Sequence, residues 1–213
     1  MNWYEIYLKD IEKKSTLESY VVDKIKNKKP LIDLIKKYAL NKKIIEAGSG
    51  TGVLSTYMAS LGYDSIGIDI DNQMLKLSQE IAENYNSKVK PSFVKKSIFA
   101  LDYNDNEFDV SFSNGVLEHF SDKKIINSLE QQINIAKIVI VGIPTKYFNQ
   151  EEAMYGDERY LPYSYWRKSI KNAGGIILEE KSMHYMNWKN RLLNFKKYFR
   201  PYPYRIFVIK KNK

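Results

Sequence analysis

A glycine-rich turn between two short apolar runs constrains the fold of this 213-residue chain more than any other feature. The first run ends in Ile-Ile-Glu-Ala, the turn is Gly-Ser-Gly-Thr-Gly (residues 48–52), and the second run, residues 64–69, ends in an acid. Glycine permits a sharp turn and a close approach to a ligand because it has no Cβ. An acid about 20 residues after such a turn can accept hydrogen bonds from ribose hydroxyls. The sequence therefore predicts a nucleoside site at the carboxyl edge of a parallel sheet.

The spacing of the glycines indicates which nucleoside. A dinucleotide fingerprint reads G-x-G-x-x-G, and its third glycine allows close packing of helix on strand. Here Gly48, Gly50 and Gly52 fall as G-x-G-x-G, and Val53 follows them. Glu46, at the end of the first run, would repel a pyrophosphate. The pattern favours a cofactor that carries a positive charge and an amino group.

Periodicity along the chain predicts strands that alternate with helices, which is typical of a doubly wound α/β sheet. Two apolar stripes predict a helical region over residues 3–40, with Pro30 in the first turn of its second helix. Asp71 is suited to cap a helix over 72–85. Strands are predicted at 43–47, 64–69, 92–96, 137–145, 176–182 and 205–210 and from Phe108 towards Asn114-Gly115, and further helices at 52–61, around Ile125 to Leu129, and from Pro162 to Gly174.

The turn with Glu46 and Asp69 resembles the first two motifs of class I S-adenosylmethionine (SAM)-dependent methyltransferases. A third phrase, Phe108-Asp109-Val110-Ser111-Phe112-Ser113-Asn114-Gly115-Val116-Leu117-Glu118-His119, resembles one found in the small-molecule group of this family, the methyltransferase type 11-like enzymes. The resemblance covers roughly residues 40–210. It implies a Rossmann-like, seven-stranded, mostly parallel sheet with an antiparallel last strand.

The resemblance also implies one methyltransferase domain over residues 1–213. Within it, residues 1–40 would form a helical lid and residues 41–145 the SAM-binding core. Residues 146–213 would supply an acceptor-side loop, a helix and the final strand pair.

By resemblance, the turn would wrap the methionine part of SAM, with Glu46 near its ammonium group. Asp69 would bind the ribose diol and Ile70 would pack on the adenine. Ser97 stands where the family often has an acid that bonds the adenine amino group. Asn114 would offer its backbone carbonyl, although a plain turn is an equal alternative. The predicted cofactor-binding residues are Glu46, Gly48, Ser49, Gly50, Gly52, Asp69, Ile70, Ser97, Ile98, Ser113 and Asn114.

Methyl transfer from a sulfonium is an in-line displacement, so positioning of the acceptor can supply most of the acceleration. His119 is the candidate base where the acceptor must lose a proton. Gly-Asp-x-Arg phrases follow the fifth strand in small-molecule methyltransferases, and one occurs here within residues 146–166. Alternatively, Arg159 pairs locally, and the aromatic residues of the first helix are core packing rather than a lid. The predicted acceptor contacts are Tyr4, Tyr7, Tyr155, Asp157, Glu158, Arg159 and Tyr160.

Composition limits the partners. The net charge of +9 divides into +5 over residues 1–43, −6 over 44–180 and +10 over 181–213. The basic ends suit an anionic partner, or are simply a solvated lysine-rich surface. The chain contains no cysteine, which excludes thiolate chemistry. No apolar run reaches the ~18–20 residues of a membrane span, and no signal-peptide core is present, so a cytoplasmic location is expected.

These observations predict a SAM-dependent methyltransferase that modifies an O or N atom of a small, possibly anionic acceptor, as a monomer or homodimer without a metal. Three alternatives remain. The acceptor could be RNA, met by the basic termini. The aromatic, basic segment 183–204 is expected to cap the acceptor pocket, although it could instead lie on an anionic membrane or follow an RNA backbone. The protein could bind SAM without catalysis, or it could be a nicotinamide-dependent reductase, against which the missing third glycine and Glu46 argue.

Overall fold

The computed structural model describes residues 2–145, 157–183 and 204–212, and the described chain alternates helices with strands. The helices are α1 (Trp3–Ile11), α2 (Leu17–Lys26), α3 (Lys29–Tyr38), α4 (Val53–Ser60), α5 (Asn72–Asn84), α6 (Asp122–Ile135) and α7 (Tyr163–Asn172). The strands are β1 (Lys43–Ala47), β2 (Asp64–Asp69), β3 (Ser92–Lys95), β4 (Phe108–Asn114), β5 (Ala136–Pro144), β6 (Gly175–Met183) and β7 (Tyr204–Lys211). A single 3-10 turn, Leu117–His119, follows β4.

The seven strands form one sheet in the order β3-β2-β1-β4-β5-β7-β6. Strands β1 to β5 run parallel to one another, whereas β7 lies antiparallel between β5 and β6. The predicted fold class, a mostly parallel seven-stranded sheet with an antiparallel last strand, is confirmed. Because the chain order reverses between β1 and β4, the carboxyl ends of these two strands border a crevice, where ligands bind in open α/β sheets.

The local sequence explains where the helices begin. The Asp71 side chain accepts hydrogen bonds from the backbone of Gln73 and Met74, which confirms the predicted cap of α5. The N-terminal region differs from the two-stripe prediction because it contains three helices. The hydroxyl of Thr16 and that of Ser19 form a capping box that starts α2 as a separate helix.

Apolar side chains cover both faces of the sheet. Phe108, Phe207 and Trp166 belong to a cluster on the side of α6 and α7. Phe112 belongs to a second cluster, on the side of α3 and α4. A third cluster joins α1, α2 and α5, with Tyr20 fully buried at its centre. The first two clusters therefore hold the strands in place, and the third cluster holds α1 and α2 against α5, beside the crevice.

Within the three described ranges, no helix combines the length and the apolar character that crossing a bilayer requires.

Candidate functional site

Two adjoining cavities open at the carboxyl edge of the sheet. The larger has a volume of about 450 Å³ and the smaller about 330 Å³. They share a wall formed by the glycine turn, by the segment after β4 and by one tyrosine of α1. The shared lining residues are Tyr7, Gly48, Gly50, Gly115, Val116 and His119. A ligand that crosses this wall would occupy both cavities.

The glycine turn is tied to β2 through its backbone. The amides of Gly48 and Ser49 both donate to the carbonyl of Ile68, at 3.0 and 2.8 Å. Gly48 has φ +75°, and a Cβ there would lie 2.9 Å from the methyl groups of Val116. Gly50 has φ +53°, and a Cβ there would be in ordinary contact with the hydroxyl of Tyr7, at 3.9 Å. A larger residue at position 48 would therefore collide with the segment after β4, so the turn needs glycine there.

Gly52 lies behind the turn, outside the lining of both cavities. It has φ +66° and directly precedes α4. A Cβ at this position would lie 2.4 Å from the ring of Phe93 and 2.7 Å from Cβ of Ser78. Gly52 thus allows the close packing that the third glycine of a dinucleotide fingerprint supplies elsewhere.

Asp69 ends β2 and lines the smaller cavity. Its Oδ2 accepts a hydrogen bond from the amide of Gly50 at 3.0 Å, and its Oδ1 accepts one from the amide of Asp71 at 3.0 Å. The carboxylate therefore positions the glycine turn and also faces the cavity. The next residue, Ile70, is 66% exposed and lines the same cavity, so it is not part of the core.

Ser97 and Ile98 also line the smaller cavity. The hydroxyl of Ser97 accepts a hydrogen bond from the amide of Phe99 at 3.2 Å. Lys96, which was not singled out from the sequence, lines this cavity too and pairs with Asp102. The lining of the smaller cavity thus combines the carboxylate of Asp69 with a hydroxyl and with apolar side chains.

Glu46 lines the larger cavity from the end of β1. Its Oε2 accepts hydrogen bonds from the amide and hydroxyl of Ser55, at 3.1 and 2.6 Å. The carboxylate thereby caps α4, which Gly52 cannot do because it has no side chain. Burial raises the pKa of Glu46 to about 7, and the bonds from Ser55 offset part of that rise.

Three further predicted cofactor residues surround this wall. Ser49 and Asn114 line the larger cavity, and within the described chain neither Ser49 Oγ nor Asn114 Oδ1 has a hydrogen-bond partner. Ser113 is buried one residue earlier on β4 and does not line either cavity. Buried polar atoms without partners are uncommon, and they indicate places where a polar ligand can bind.

His119 stands where the two cavities meet. Its Nδ1 lies 2.7 Å from Oδ1 of Asp157, and the ring of Trp3 contacts it edge-on at 5.0 Å between centroids. The imidazole is therefore fixed from both sides by a carboxylate and an aromatic ring. Asp157 lines the smaller cavity beside it.

The predicted acceptor residues separate into three groups. Glu158 and Tyr160 line the larger cavity, and Tyr7 lines both. Tyr4 packs in the cluster of α1, α2 and α5 instead, and Tyr155 lies outside the described residues. Arg159 lines neither cavity, because its guanidinium binds the carbonyl of Phe120 and the carboxylate of Asp122, both at 2.6 Å.

Glu118 lines the larger cavity and was not singled out from the sequence. It is 2% exposed, and its Oε2 has no hydrogen-bond partner among the described groups. Burial raises its pKa to about 8, and the nearby carboxylates of Glu158 and Asp157 add to the rise. Lys28 and Tyr204, also not singled out, line the same cavity. Among these three residues only Glu118 had a local signal in the sequence, because it belongs to the phrase Leu117-Glu118-His119 that follows a strand.

The comparisons with known proteins agree with this geometry. The model of a family described as a methyltransferase domain matches residues 40–195. The chain belongs to this methyltransferase family. The predicted class I SAM-dependent methyltransferase, an enzyme with S-adenosylmethionine as its cofactor, is confirmed. No curated protein matches the sequence.

Solved structures share the fold at low sequence identity. The magnesium protoporphyrin IX methyltransferase of Synechocystis PCC 6803, with bound SAH (S-adenosylhomocysteine), is 17% identical, with a TM-score of 0.67 over 86% of this chain and 81% of that one. The [4+2]-cyclase SpnF is 16% identical, with a TM-score of 0.67 over 86% and 80%. The CcbJ methyltransferase from Streptomyces caelestis is 14% identical, with a TM-score of 0.65 over 84% and 87%.

The residues of this methyltransferase fit its cofactor. Gly48 and Gly50 of the turn line both cavities, an acid ends β2, and unpartnered polar atoms of Ser49 and Asn114 border the same cleft. No group of three or more metal-binding side chains occurs in the described part of the chain.

Proposed function

We propose that this protein transfers a methyl group from S-adenosylmethionine to an O or N atom of a small molecule held in the larger cavity. The observation that carries the proposal is the meeting of two cavities at the glycine turn, with His119 at the junction. A volume of about 450 Å³ is within the range of small-molecule sites. We further propose that α1 is part of a lid, since Trp3 and Tyr7 both reach the cleft.

Different residues would hold the two parts of the cofactor. Asp69 and Ile70 would hold the ribose and adenine in the smaller cavity. Gly48, Ser49 and Glu46 would hold the methionine part at the edge of the larger cavity, where the carboxylate of Glu46 suits an ammonium group. When bound, S-adenosylmethionine supplies a methyl group on a positively charged sulfur, which leaves as a neutral thioether when the acceptor's lone pair takes the methyl carbon.

His119 would accept a proton from the acceptor. The carboxylate of Asp157, 2.7 Å from Nδ1, orients the ring. We expect His119→Asn to lower kcat by about 100-fold, within the range typical of general bases. Asp157→Asn should lower it by about ten-fold, because the ring keeps its nitrogen but loses its orientation. The affinity for SAH should be unchanged in both variants.

An RNA acceptor receives less support from the described residues. Several basic side chains of the N-terminal helical region are engaged in ion pairs: Lys14 with Asp23, Lys24 with Asp10, Lys29 with Asp33 and Lys37 with Glu179. The basic, aromatic segment 184–203 lies outside the described residues. The fold neighbour SpnF is a cyclase, which shows that this fold also carries other chemistry.

Incubation with methyl-labelled S-adenosylmethionine, a metabolite extract and, separately, total RNA tests the proposal. Label in a small extractable product that His119→Asn reduces would support it. Label in RNA that falls steeply with added salt would favour the RNA alternative. SAH binding without any labelled product would indicate a binding protein. The cytoplasmic location and the oligomeric state stay predictions.

A further inference from the structure

The wall of the larger cavity beyond the glycine turn carries an excess of acids. The charged side chains of the described lining are the acids Asp23, Glu46, Glu118 and Glu158 and the lysines Lys24 and Lys28. Four carboxyl groups thus face two ammonium groups, a balance opposite to the basic charge of the whole chain.

Glu118 is the least satisfied of these carboxyl groups. Ser55 donates twice to Glu46, whereas Oε2 of Glu118 accepts nothing from the described chain. The other oxygen, Oε1, and the hydroxyl of Tyr204 converge on one point above Gly115, at 3.7 and 3.1 Å from it. Removing a carboxylate from water without a partner is costly, so this position calls for a cation or a proton.

The groups that face Glu118 come from several elements. They are Lys28 before α3, Asp157, Glu158 and Tyr160 from the segment before α7, Tyr204 from β7, and His119 beside it on the 3-10 turn. The amide of Arg159 donates to the backbone carbonyl of Glu118 at 3.0 Å, which holds Glu158 and Tyr160 next to it. Glu158 and Glu118 also raise the pKa of Tyr160, to about 12, although burial contributes more. The net charge around Glu118 is therefore negative.

We propose that the acceptor is an amine, whose protonated nitrogen binds in the larger cavity against Glu118, with Glu158 and the Tyr204 hydroxyl beside it. The inference rests on the proposed function and names its substrate class. A carboxylate or phosphate would add negative charge to an acidic wall, and a neutral hydroxyl would leave Glu118 in its protonated form. An ammonium group supplies the missing partner, and the tyrosines give its carbon skeleton an apolar surface.

Binding of such an amine has a consequence for protons. In the ligand-free cavity Glu118 holds a proton at neutral pH, because burial raises its pKa to about 8. An amine in water is also protonated at that pH. Two protonated groups in contact would lose one proton to solvent, and the remaining proton would be shared between the nitrogen and the carboxylate. The form with the proton on Glu118 exposes the nitrogen lone pair that a methyl acceptor needs.

Calorimetry on the SAH-saturated protein tests this inference with three probes of one shape: 2-phenylethylamine, 2-phenylethanol and phenylacetate. We expect the amine to bind at least ten-fold more tightly than the other two. Measured in two buffers of different ionisation enthalpy near pH 7, its binding should release up to one proton. Glu118→Gln should lower the amine affinity at least ten-fold, abolish the proton release and leave the affinity for the alcohol unchanged.

Asp122→Asn is the matched control, because it changes an acid of the same segment outside the cavity. It should retain the preference for the amine and the proton release. Equal affinities for the three probes, no binding of any of them, or a proton release that persists in Glu118→Gln would overturn the inference. A prior SAH titration separates the two proposals: loss of SAH binding contradicts the proposed function, whereas normal SAH binding without amine preference contradicts only the amine.

Discussion

Two buried acids at opposite ends of the same sheet differ in their surroundings. Asp109, at the amino end of β4, accepts hydrogen bonds from the amide and side chain of Asn41, from Lys137 and, at 3.5 Å, from the amide of Lys43. Glu118, just past the carboxyl end of β4, has an oxygen with no partner in the described chain. Burial opposes the charge of both, but the donors around Asp109 outweigh it and lower its pKa, whereas the pKa of Glu118 rises to about 8.

The different surroundings of Asp109 and Glu118 have different consequences for stability and for function. The amino edge of the sheet joins β1, β4 and β5 through one fully bonded carboxylate, so this edge gains stability. The carboxyl edge keeps Glu118 underbonded, which costs stability in the free protein and leaves the group available to an acceptor. The same substitution, a carboxylate replaced by an amide, should therefore affect the free energy of unfolding differently at the two positions.

The largest effect is expected from the pair Asp109→Asn and Glu118→Gln, which both replace a carboxylate by an amide of similar shape. Asp109→Asn should lower the free energy of unfolding by about 3 kcal/mol, because an amide cannot accept all the hydrogen bonds that reach this site. Glu118→Gln should leave it unchanged or raise it. Urea denaturation at neutral pH measures both values, and a large loss of stability in Glu118→Gln would remove the contrast.

The pH dependence of stability should distinguish the two acids next. The folded protein holds a proton on Glu118 that the unfolded chain has released above about pH 4.3. Stability should therefore fall as pH rises from about 4.3 towards 8, by an amount on the order of a few kcal/mol. Glu46, with a raised pKa of about 7, contributes in the same direction.

Comparing Glu118→Gln with the parent isolates one acid. Above pH 5, the free energy of unfolding of the variant should fall less steeply than that of the parent. In acid, the two proteins should show the same pH dependence of stability. Asp109→Asn should do the reverse, because a lowered pKa gives stability that is present above the ordinary value near 3.9 and lost as pH falls below it. Parallel pH profiles for Glu118→Gln and the parent would contradict the assignment.

Asp69 gives a third test, confined to the carboxyl edge. Asp69→Asn should weaken SAH binding by about 1–3 kcal/mol, because the amide is a poorer acceptor for a ribose diol and for the amide of Gly50. Asp64→Asn, at the exposed amino end of the same strand, is the control and should bind SAH normally. Titration calorimetry measures both, and equal affinities would count against the ribose assignment.

Arg159 should show the smallest effect. Its ion pair with Asp122 is largely exposed, so Arg159→Ala should lower the free energy of unfolding by about 1 kcal/mol or less. SAH binding should not change, because the guanidinium lines neither cavity. A loss of acceptor turnover larger than this loss of stability would instead favour the direct acceptor contact that the sequence pattern predicts.

The fold was predictable from short-range patterns. Period-two runs, glycine turns and caps such as Asp71 determine each strand or helix through residues that are close in sequence. The resemblance to class I methyltransferases supplies the order of the strands in the sheet. The N-terminal break was missed because the capping box of Thr16 and Ser19 has serine, not the expected glutamate or glutamine, at its third position.

The predictable parts of the site are those next to strands that local sequence patterns reveal. The glycine turn and Asp69 are adjacent to strands, so their positions follow from local sequence. Tyr204 reaches the cavity because β7 inserts antiparallel between β5 and β6 and pairs it with Pro144. Glu118 looked like part of a motif phrase, and nothing local indicates that its carboxyl group lacks a partner. Such properties depend on tertiary packing.

A crystal structure of the SAH complex would show how the two cavities divide the cofactor. We expect adenosine against Asp69 and Ile70 in the smaller cavity, homocysteine along Gly48 and Glu46, and the sulfur facing the larger cavity that Glu118 lines. SAH bound elsewhere, or with its sulfur turned away from Glu118 and His119, would contradict this arrangement.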